Sequence, residues 1–526
     1  VATYQTLDVD NDEGTANFLT EFYPENYFSH IVIDECHRSA WGKWSQVLTR
    51  NPDAVQVGLT ATPRQLVESC PETSGEARAD AQITADNLRY FGEPVYEYDM
   101  AQGIEDGYLA ACEIHVGRVN LDDTGITIED ILARNPVNAT TGQPVTRDEL
   151  RELYEKTTYE DRLLLPDRVL AMCEDFFRYL LDTGGPEQKT IVFCVRDRHA
   201  DDVAATLNNL YAAWCQEQGH HRLEPYAFKC TASVGGSQFL ADLRGASRSH
   251  FVATTVELLS TGVDVPRVRN IVFFKYVRSP IAFYQMVGRG TRLDAPTGKL
   301  MFRVYDYTNA TRLFGETFVS TLKAPRKDPG EHPPTPPEPT ILVQGFDVRV
   351  TDAGRYILTT VDGKAMPVTI EEYKERLATK LVEEAPSIDV FRTRWITPPD
   401  RQQMLGELPD AGRSALLVRE LEEMEAYDLY DVLAELGYGM APRTRVGRAD
   451  AFTYKHAAWL TRMPQEAARA VRAIAAQFAK AGTDGLENPE VFQTPEVIRA
   501  GGLRALRLAG QPADVLRETK ERMFAA

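Results

Sequence analysis

Short apolar runs alternate with amphipathic segments between residues 189 and 307. Each apolar run is rich in β-branched and aromatic residues and has the length of one buried strand, whereas the intervening segments carry apolar residues at helical spacing. Strands that alternate with helices are joined by right-handed crossovers and form a parallel sheet. We therefore predict strands at residues 189–195, 226–231, 250–255, 268–276 and 301–307, and helices at residues 197–211, at residues 237–244 and from about residue 280.

The N-terminal part shows the same kind of pattern. Residues 29–33 and 54–59 have the composition of buried strands, and residues 1–7 are also strand-like. Residues 162–182 place apolar side chains on one face of a predicted helix. Between these parts, residues 116–159 are polar and rich in Thr and Asn, which predicts a connector or insertion. The pattern indicates an α/β protein with two parallel-sheet domains.

The C-terminal part differs in composition. Residues 323–340 contain seven prolines, which is typical of a semi-rigid linker. Residues 341–368 alternate apolar and polar positions and predict a small β meander, and the remainder is mainly helical. The clearest helical periodicity lies at residues 416–430 and 466–481. We divide the chain into a first α/β domain at 1–115, a connector at 116–160, a second α/β domain at 161–315, a linker at 316–340 and an accessory domain at 341–526.

Composition and charge limit the classes of protein and the kinds of partner that fit this chain. The 526 residues are 43% hydrophobic, and no apolar run is long enough to span a bilayer. Seven scattered cysteines without a C-x-x-C pair are typical of reduced thiols in the cytoplasm. The net charge is −19, yet residues 244–303 carry ten Lys or Arg and three Asp or Glu. A locally basic band on an acidic protein fits a confined phosphate or nucleic-acid groove.

Polar residues follow the two predicted N-terminal strands. Asp34 and Glu35 stand at the carboxyl end of the first, where open α/β sheets bind ligands. An Asp at such a position can hold Mg²⁺ and a neighbouring Glu can polarise water, although an acidic turn is the simpler interpretation. Thr60 and Thr62 follow the second strand, and their hydroxyls either bond those carboxylates or merely end the strand.

A loop in the second α/β domain carries further candidate ligands. Gly262 permits a tight turn, and Asp264 offers an acceptor to a hydroxyl such as that of a ribose. The hydroxyls of Thr255 and Thr261 can donate to phosphates. The alternative is an ordinary loop between two strands.

Two arginines follow the next predicted strand. Arg289 and Arg292 are three residues apart, so we expect them on one face of the helix that begins near Pro280. Paired guanidiniums are suited to bidentate recognition of phosphate, and Gly288 and Gly290 permit close approach of another surface. A solvated basic helix end is the alternative.

Taken together, four segments resemble motifs II, III, V and VI of superfamily 2 helicases and translocases, in the right order. Further stretches resemble the motor subunit of type I restriction enzymes, including Gly103-Ile104-Glu105-Asp106-Gly107, Asp428-Leu429-Tyr430-Asp431-Val432-Leu433 and Ala500-Gly501-Gly502-Leu503. The four motif segments are Asp34-Glu35-Cys36-His37, Leu59-Thr60-Ala61-Thr62-Pro63, Ser260-Thr261-Gly262-Val263-Asp264-Val265-Pro266 and Gln285-Met286-Val287-Gly288-Arg289-Gly290-Thr291-Arg292.

The resemblance implies roles for the N-terminal candidates. Asp34 would bind Mg²⁺ through water, and Glu35 would activate the hydrolytic water. His37 would couple the nucleotide state to Thr60 and Thr62.

The same resemblance implies roles for the other candidates. Gly262 and Asp264 would lie at the nucleotide cleft between two RecA-like domains. Gln285 would contact the nucleotide, while Arg289 and Arg292 would act as arginine fingers on the γ-phosphate. The residues expected at nucleic acid are Thr3, Gln5, Thr255 and Thr261.

At the level of the whole protein, the resemblance implies an ATP- and Mg²⁺-dependent translocase on double-stranded DNA. Its expected partners are methylation and specificity subunits, and no membrane is expected. The sequence holds no G-x-x-x-x-G-K-[ST] phosphate loop. In the family that loop and a nuclease domain precede motif II, so we expect them before Val1 and expect this chain alone to hydrolyse little ATP. The alternatives are a stand-alone helicase of another defence or repair system and a DNA-binding scaffold without ATPase activity.

Overall fold

A computed structural model describes most of the chain. The described residues are 22–34, 36, 50–60, 65–67, 91–231, 239–256, 259, 264–315, 319–321, 339–361 and 364–525, with the backbone alone at 65–67, 281 and 319–321. The predicted strand at residues 1–7 and most of the proline-rich linker lie outside these ranges.

The described elements up to the first long helix are mostly short. They are β1 (His30–Ile33), β2 (Val55–Gly58), β3 (Gln65–Val67), α1 (Met100–Glu105), β4 (Ala111–Val119), α2 (Leu121–Thr124), β5 (Ile126–Thr127), α3 (Ile128–Leu132), β6 (Val137–Asn138), β7 (Leu153–Tyr154), β8 (Leu163–Leu164) and α4 (Pro166–Asp182).

An alternating region follows, and then the C-terminal part. The alternating elements are β9 (Thr190–Phe193), α5 (Asp197–Gln218), β10 (Ala227–Lys229), α6 (Leu240–Gly245), β11 (Val252–Thr255), β12 (Asn270–Phe273), α7 (Pro280–Val287), β13 (Met301–Asp306) and β14 (Val319–Thr321). The C-terminal elements are β15 (Ile341–Leu342), β16 (Val350–Val361), β17 (Lys364–Thr369), α8 (Ile370–Glu384), α9 (Ile388–Ile396), α10 (Pro398–Gly406), α11 (Ser414–Leu421), α12 (Leu429–Tyr438), α13 (Arg445–Lys455), α14 (Ala457–Arg462), α15 (Gln465–Ala481), α16 (Asp484–Glu487), α17 (Pro495–Arg499), α18 (Gly502–Leu506) and α19 (Pro512–Ala525).

The central sheet has eight strands in the order β10-β11-β9-β12-β13-β4-β16-β17. The five strands predicted from the alternating pattern are all present and pair in parallel, with Ile191 of β9 opposite Ile271 of β12. Helix α5 runs seven residues beyond its predicted end, because Tyr211 and Cys215 continue its buried face at four-residue spacing. The fold is therefore α/β, as expected, and a second pair of parallel strands, β1 and β2, lies in the predicted first domain.

The central sheet crosses two predicted boundaries. Strand β4 spans the predicted limit between residues 115 and 116 and pairs in parallel with β13, so it extends the sheet of the second domain. Strands β16 and β17, expected as a separate meander, continue the same sheet: β16 pairs antiparallel with β4, and β17 pairs antiparallel with β16. Alternating polarity correctly predicted these two strands, but it carries no information about the strand with which they pair.

The predicted connector has a core of its own. Strands β6, β15 and β8 form a three-stranded sheet, so the chain returns after residue 339 to pack on the segment that follows β4. The buried apolar residues of this unit are Ile126, Ile131, Val145, Tyr154, Tyr159, Leu163, Leu165, Ile341 and Val343. Short strands with few apolar residues explain why the sequence pattern was weak there.

A buried carboxylate joins three strands of the central sheet. Glu113 of β4 is fully buried and accepts hydrogen bonds from Arg303 Nε of β13 at 2.8 Å and from Arg355 Nη2 of β16 at 2.6 Å. The Nε2 atom of His115 lies 3.0 Å from its Oε1 atom. Burial by itself raises the pKa of Glu113, but the hydrogen bond from His115 and the charges of His115, Arg303 and Arg355 outweigh it and hold the pKa well below its usual value.

We expect Glu113→Gln to destabilise the protein and to weaken its acid sensitivity. A folded-state pKa below the unfolded value of 4.5 stabilises the fold above pH 4.5, and this contribution is lost as the pH falls. Removing one partner of a buried ion pair costs about 3–5 kcal/mol. Urea unfolding at neutral and acidic pH measures both effects. Glu129→Gln is the control, since its pair with Arg147 is mostly exposed, and equal effects of the two substitutions would contradict the prediction.

The C-terminal region is mainly helical, as predicted. Helix α15 matches the predicted segment 466–481, whereas the predicted segment 416–430 is divided between α11 and α12. The break arises because Glu423 adopts a left-handed conformation (φ 56°) and the Asp428 side chain caps α12 by accepting from Tyr430 N at 3.0 Å. None of the described helices is long and apolar enough to cross a lipid bilayer.

Candidate functional site

The helix predicted near Pro280 is present as α7. The Ser279 hydroxyl accepts from Ala282 N at 3.3 Å, and proline occupies the first turn, so the helix start has two ordinary signals. Helix α7 ends at Val287, which means that Arg289 and Arg292 lie beyond it. The prediction that these arginines share one face of a helix is wrong.

The turn that follows α7 packs closely against the sheet. Gly290 N bonds to Val287 O at 2.9 Å in a tight turn, and a Cβ on Gly290 would stand 2.1 Å from Cδ2 of Phe302. Phe302 belongs to β13 and is fully buried, so it has little room to move. Only glycine permits this approach, and the turn is thereby held against the sheet. We call residues 288–292 the arginine turn.

The arginine turn brings together four of the predicted site residues in two pairs. Arg289 Nε donates to the main-chain oxygen of Gln285 at 3.3 Å. Arg292 Nε lies 3.3 Å from Oδ1 of Asp264, and both side chains are about three-fifths exposed. The structure therefore places the loop of Asp264 beside the arginine turn, with both charged groups accessible.

Sequence reasoning missed one contact of this loop. Arg244, in α6, donates from Nε to the main-chain oxygen of Asp264 at 2.8 Å. A single arginine near the end of a short helix has no pattern that distinguishes it from other basic surface residues. Its role follows only from the packing of α6 against the loop.

Two of the N-terminal candidates, Asp34 and Thr60, are described, and both follow parallel strands at the same edge of the sheet. Strands β1 and β2 pair in parallel with Ile33 opposite Gly58, so Asp34 and Thr60 follow at the same edge. Cys36 N donates to Leu59 O at 3.0 Å and joins the two strand ends. Asp34 is exposed and Thr60 is half-buried. Glu35, His37 and Thr62 lie outside the described residues.

Of the four residues predicted to contact nucleic acid, the structure describes only Thr255. Thr255 ends β11 and is fully buried, so its hydroxyl does not face a surface where a phosphate could reach it. Among the residues that the structure describes, that hydroxyl has no hydrogen-bond partner. The prediction failed because Thr255 is the last residue of a strand with neighbours on both sides. Thr3, Gln5, Thr261 and Gly262 lie outside the described residues.

Comparisons with known proteins match both ends of the chain. Residues 1–65 match the family described as Type III restriction enzyme, res subunit. Residues 371–522 match the family described as EcoEI R protein C-terminal. The first match contains β1 and β2 with Asp34 and Thr60, and the second contains most of the C-terminal helices.

Individual relatives match over longer stretches. The endonuclease subunit of the type I restriction enzyme EcoAI from Escherichia coli is 27% identical over 541 residues, which cover 90% of this chain and 62% of that subunit. The EcoKI endonuclease subunit from Escherichia coli (strain K12) is 28% identical over 340 residues, which cover 62% of this chain and 25% of that subunit. The chain is thus similar in sequence to the R subunits of type I restriction enzymes.

One solved structure is also similar to part of the chain. A fragment structure assigned to the HsdR subunit of a type I restriction enzyme from Vibrio vulnificus YJ016 is 29% identical, with a TM-score of 0.41 over 61% of this chain and 51% of that chain. The R-subunit-like chain spans less than two thirds of the length of the EcoAI subunit and a quarter of the EcoKI subunit.

Proposed function

We propose that the full-length protein is an ATP-dependent translocase of double-stranded DNA, the motor subunit of a type I-like restriction enzyme. The observation that carries this proposal is the arginine turn, which sits beside the loop of Asp264 in a chain that is R-subunit-like. Two guanidiniums next to an acidic loop, with Arg292 mostly exposed and Arg289 half-buried, suit recognition of a nucleoside triphosphate, because guanidiniums bind phosphate oxygens in bidentate fashion.

The described residues fit a magnesium-bound nucleotide. Within the described ranges, no group of three or more His, Cys, Asp or Glu side chains is arranged to hold a metal ion. Mg²⁺ needs only one or two carboxylates when water and phosphate oxygens supply its other ligands. Asp34, exposed at the carboxyl edge of β1 and β2, is suitably placed for such a contact through water. Mg²⁺ supplies charge neutralisation between the phosphates when it is bound.

Each protein group would then have one task in ATP hydrolysis. Glu35, next to Asp34, orients the attacking water, and His37 links this edge to Thr60 and Thr62. Arg289 and Arg292 stabilise the negative charge that develops on the transferred phosphoryl group. Asp264 accepts from a nucleotide hydroxyl, with Gly262 allowing the close turn, and Gln285 orients the nucleotide from α7.

Division of these groups between two domains would couple hydrolysis to movement. Asp34 and Glu35 belong to the first predicted domain, and the arginine turn belongs to the second, so nucleotide binding favours the closed arrangement. Repeated closure and opening on a duplex produces stepping, with Thr3, Gln5 and Thr261 as the proposed contacts to the DNA backbone. We further propose a cytoplasmic complex with methylation and specificity subunits.

The decisive experiment uses the full-length protein. ATP hydrolysis is measured without DNA, with single-stranded DNA and with linear duplex, and duplex is expected to give the largest stimulation. Displacement of a third strand from a downstream triplex then reports movement along the duplex. A full-length protein that hydrolyses no ATP, with or without its methylation and specificity subunits, would contradict the proposal. Stimulation by single strands alone would favour a helicase of another system.

A further inference from the structure

A buried lysine connects the two loops of the candidate site. Lys299 is fully buried, and its Nζ atom donates to the main-chain oxygen of Pro266 at 2.9 Å and to that of Gly290 at 2.7 Å. Pro266 lies two residues after Asp264, and Gly290 lies in the arginine turn. One amine therefore contacts both loops.

Main-chain hydrogen bonds fix the position of Lys299. Its main-chain N and O atoms bond to the O and N atoms of Asp294 at 3.1 and 3.4 Å, and β13 begins two residues later. The same strand supplies Phe302, whose ring touches Gly290. Residues 299–302 thus hold the arginine turn in two ways, by the hydrogen bond from Lys299 and by the close apolar contact with Phe302.

The chemistry of the amine suits this role. Both acceptors are turn carbonyls rather than strand carbonyls: Val268 N bonds to Val265 O across the Pro266 turn, and Gly290 N bonds to Val287 O. A buried carbonyl without a donor costs about 1–3 kcal/mol. Burial lowers the pKa of Lys299 to about 7, with the nearby Arg269 charge acting in the same direction. The neutral amine still has two N–H groups, one for each carbonyl, so the contact survives deprotonation.

We propose that Lys299 is a positioning residue that ties the loop of Asp264 to the turn of Arg289, so that both reach the nucleotide in one fixed geometry. The inference rests on the proposed function. Arginine fingers act mainly on charge that develops during the reaction, so a displaced turn lowers kcat more than it weakens ATP binding. A misplacement of about 1 Å at a reacting centre costs roughly 10²-fold in rate.

A second buried lysine provides a matched control. Lys189 is also buried, and its Nζ atom donates to the main-chain oxygens of Ser249 and His250, each at 2.9 Å. Burial lowers its pKa to about 8. A longer contact, at 3.4 Å, is to the main-chain oxygen of Asp242 in α6. None of the three acceptors is a candidate site residue, and none lies in residues 264–269 or 288–293. Lys189→Met and Lys299→Met therefore remove the same chemical group from comparable surroundings, and a general loss of stability should affect both variants.

The test compares these two variants with the unmodified full-length protein. For Lys299→Met we expect kcat of DNA-stimulated ATP hydrolysis to fall about ten- to hundredfold with little change in KM for ATP. For Lys189→Met we expect near-normal kcat at temperatures where the variant is folded. A parallel loss of kcat in both variants, or an unchanged kcat in Lys299→Met, would overturn the proposal.

Amide hydrogen exchange tests the same connection without any turnover. Lys299→Met is expected to accelerate exchange in residues 264–269 and in residues 288–293 together, whereas Lys189→Met leaves both segments unchanged. Acceleration in only one segment, or in neither, would show that Lys299 does not join them. If the unmodified protein hydrolyses no ATP, the proposed function fails at that step, and the exchange result still decides the role of Lys299.

Discussion

Arg289→Ala in the full-length protein is expected to abolish DNA-stimulated ATP hydrolysis and to leave the fold intact. An arginine that stabilises the transferred phosphoryl group contributes about 10³–10⁵-fold to kcat, since it acts on charge absent from the bound substrate. Arg289 lies in a turn beyond the end of α7 and is half-buried, so its truncation is expected to cost less packing than that of a core residue. Steady-state ATP hydrolysis with saturating duplex measures the loss of activity, and thermal unfolding measures whether the fold is intact.

The matched control for Arg289→Ala is Arg469→Ala. Arg469 is exposed on α15, in the helical region, and lies far along the chain from the candidate site. Its replacement changes the net charge by the same amount, so a purely electrostatic effect on DNA binding would appear in both variants. Undiminished turnover in Arg289→Ala would refute the finger assignment. Loss of turnover that accompanies unfolding would make Arg289 a structural residue instead.

Asp431→Ala is expected to cause the largest loss of stability in the C-terminal region. Asp431 is almost fully buried in α12 and accepts from Arg448 of α13 at 2.8 Å through Nε and at 2.5 Å through Nη2. Arg448 also donates to Met523 O of α19 at 3.1 Å, so three helices meet at this pair. Removing the carboxylate leaves a guanidinium without its counter-charge in the interior, which costs about 3–5 kcal/mol.

Two further variants test whether the loss of stability comes from the unpaired buried charge of Arg448 or merely from the removal of a carboxylate side chain. Asp514→Ala removes a carboxylate that is mostly exposed and lies 3.6 Å from Arg517, so a small effect is expected. A double variant, Asp431→Leu with Arg448→Met, leaves no buried charge and is expected to recover much of the loss. Urea unfolding gives the free energies, and hydrogen exchange in α12, α13 and α19 locates the change. A loss no larger than that of Asp514→Ala would contradict the prediction.

The two predictions concern separate parts of the chain, but the central sheet links those parts. Strands β16 and β17 lead directly into α8, and β16 pairs with β4. Arg355 of β16 donates both to Glu113 of β4 and to Leu421 O at the end of α11. The C-terminal helices are therefore continuous with the sheet that carries the arginine turn. A domain closure at the proposed nucleotide cleft would carry these helices with it.

The five parallel strands β9 to β13 of the central sheet could be predicted from the sequence alone. Val, Ile and Phe in short runs specify strands that are buried on both faces, and amphipathic spacing specifies the helices between them. The order of the four motif segments carried the resemblance to superfamily 2 helicases, and two of the segments begin directly after β1 and β2. Helix α7 was predictable from Ser279 and Pro280, since capping depends on neighbouring residues only.

Tertiary structure decided the rest, because it depends on contacts between residues far apart in the chain. Helix α7 ends at Val287, and Gly290 then approaches Phe302 of β13 so closely that only glycine fits, which places Arg289 and Arg292 in a turn beyond the helix. The pairing of β16 with β4 joins residues more than 200 positions apart, and no local pattern encodes such a partner. Lys299 precedes an apolar strand like many other lysines, and only its burial between two turns distinguishes it. The sequence by itself specified which residues could bind a phosphate, whereas packing decided which of them stand together and what holds them there.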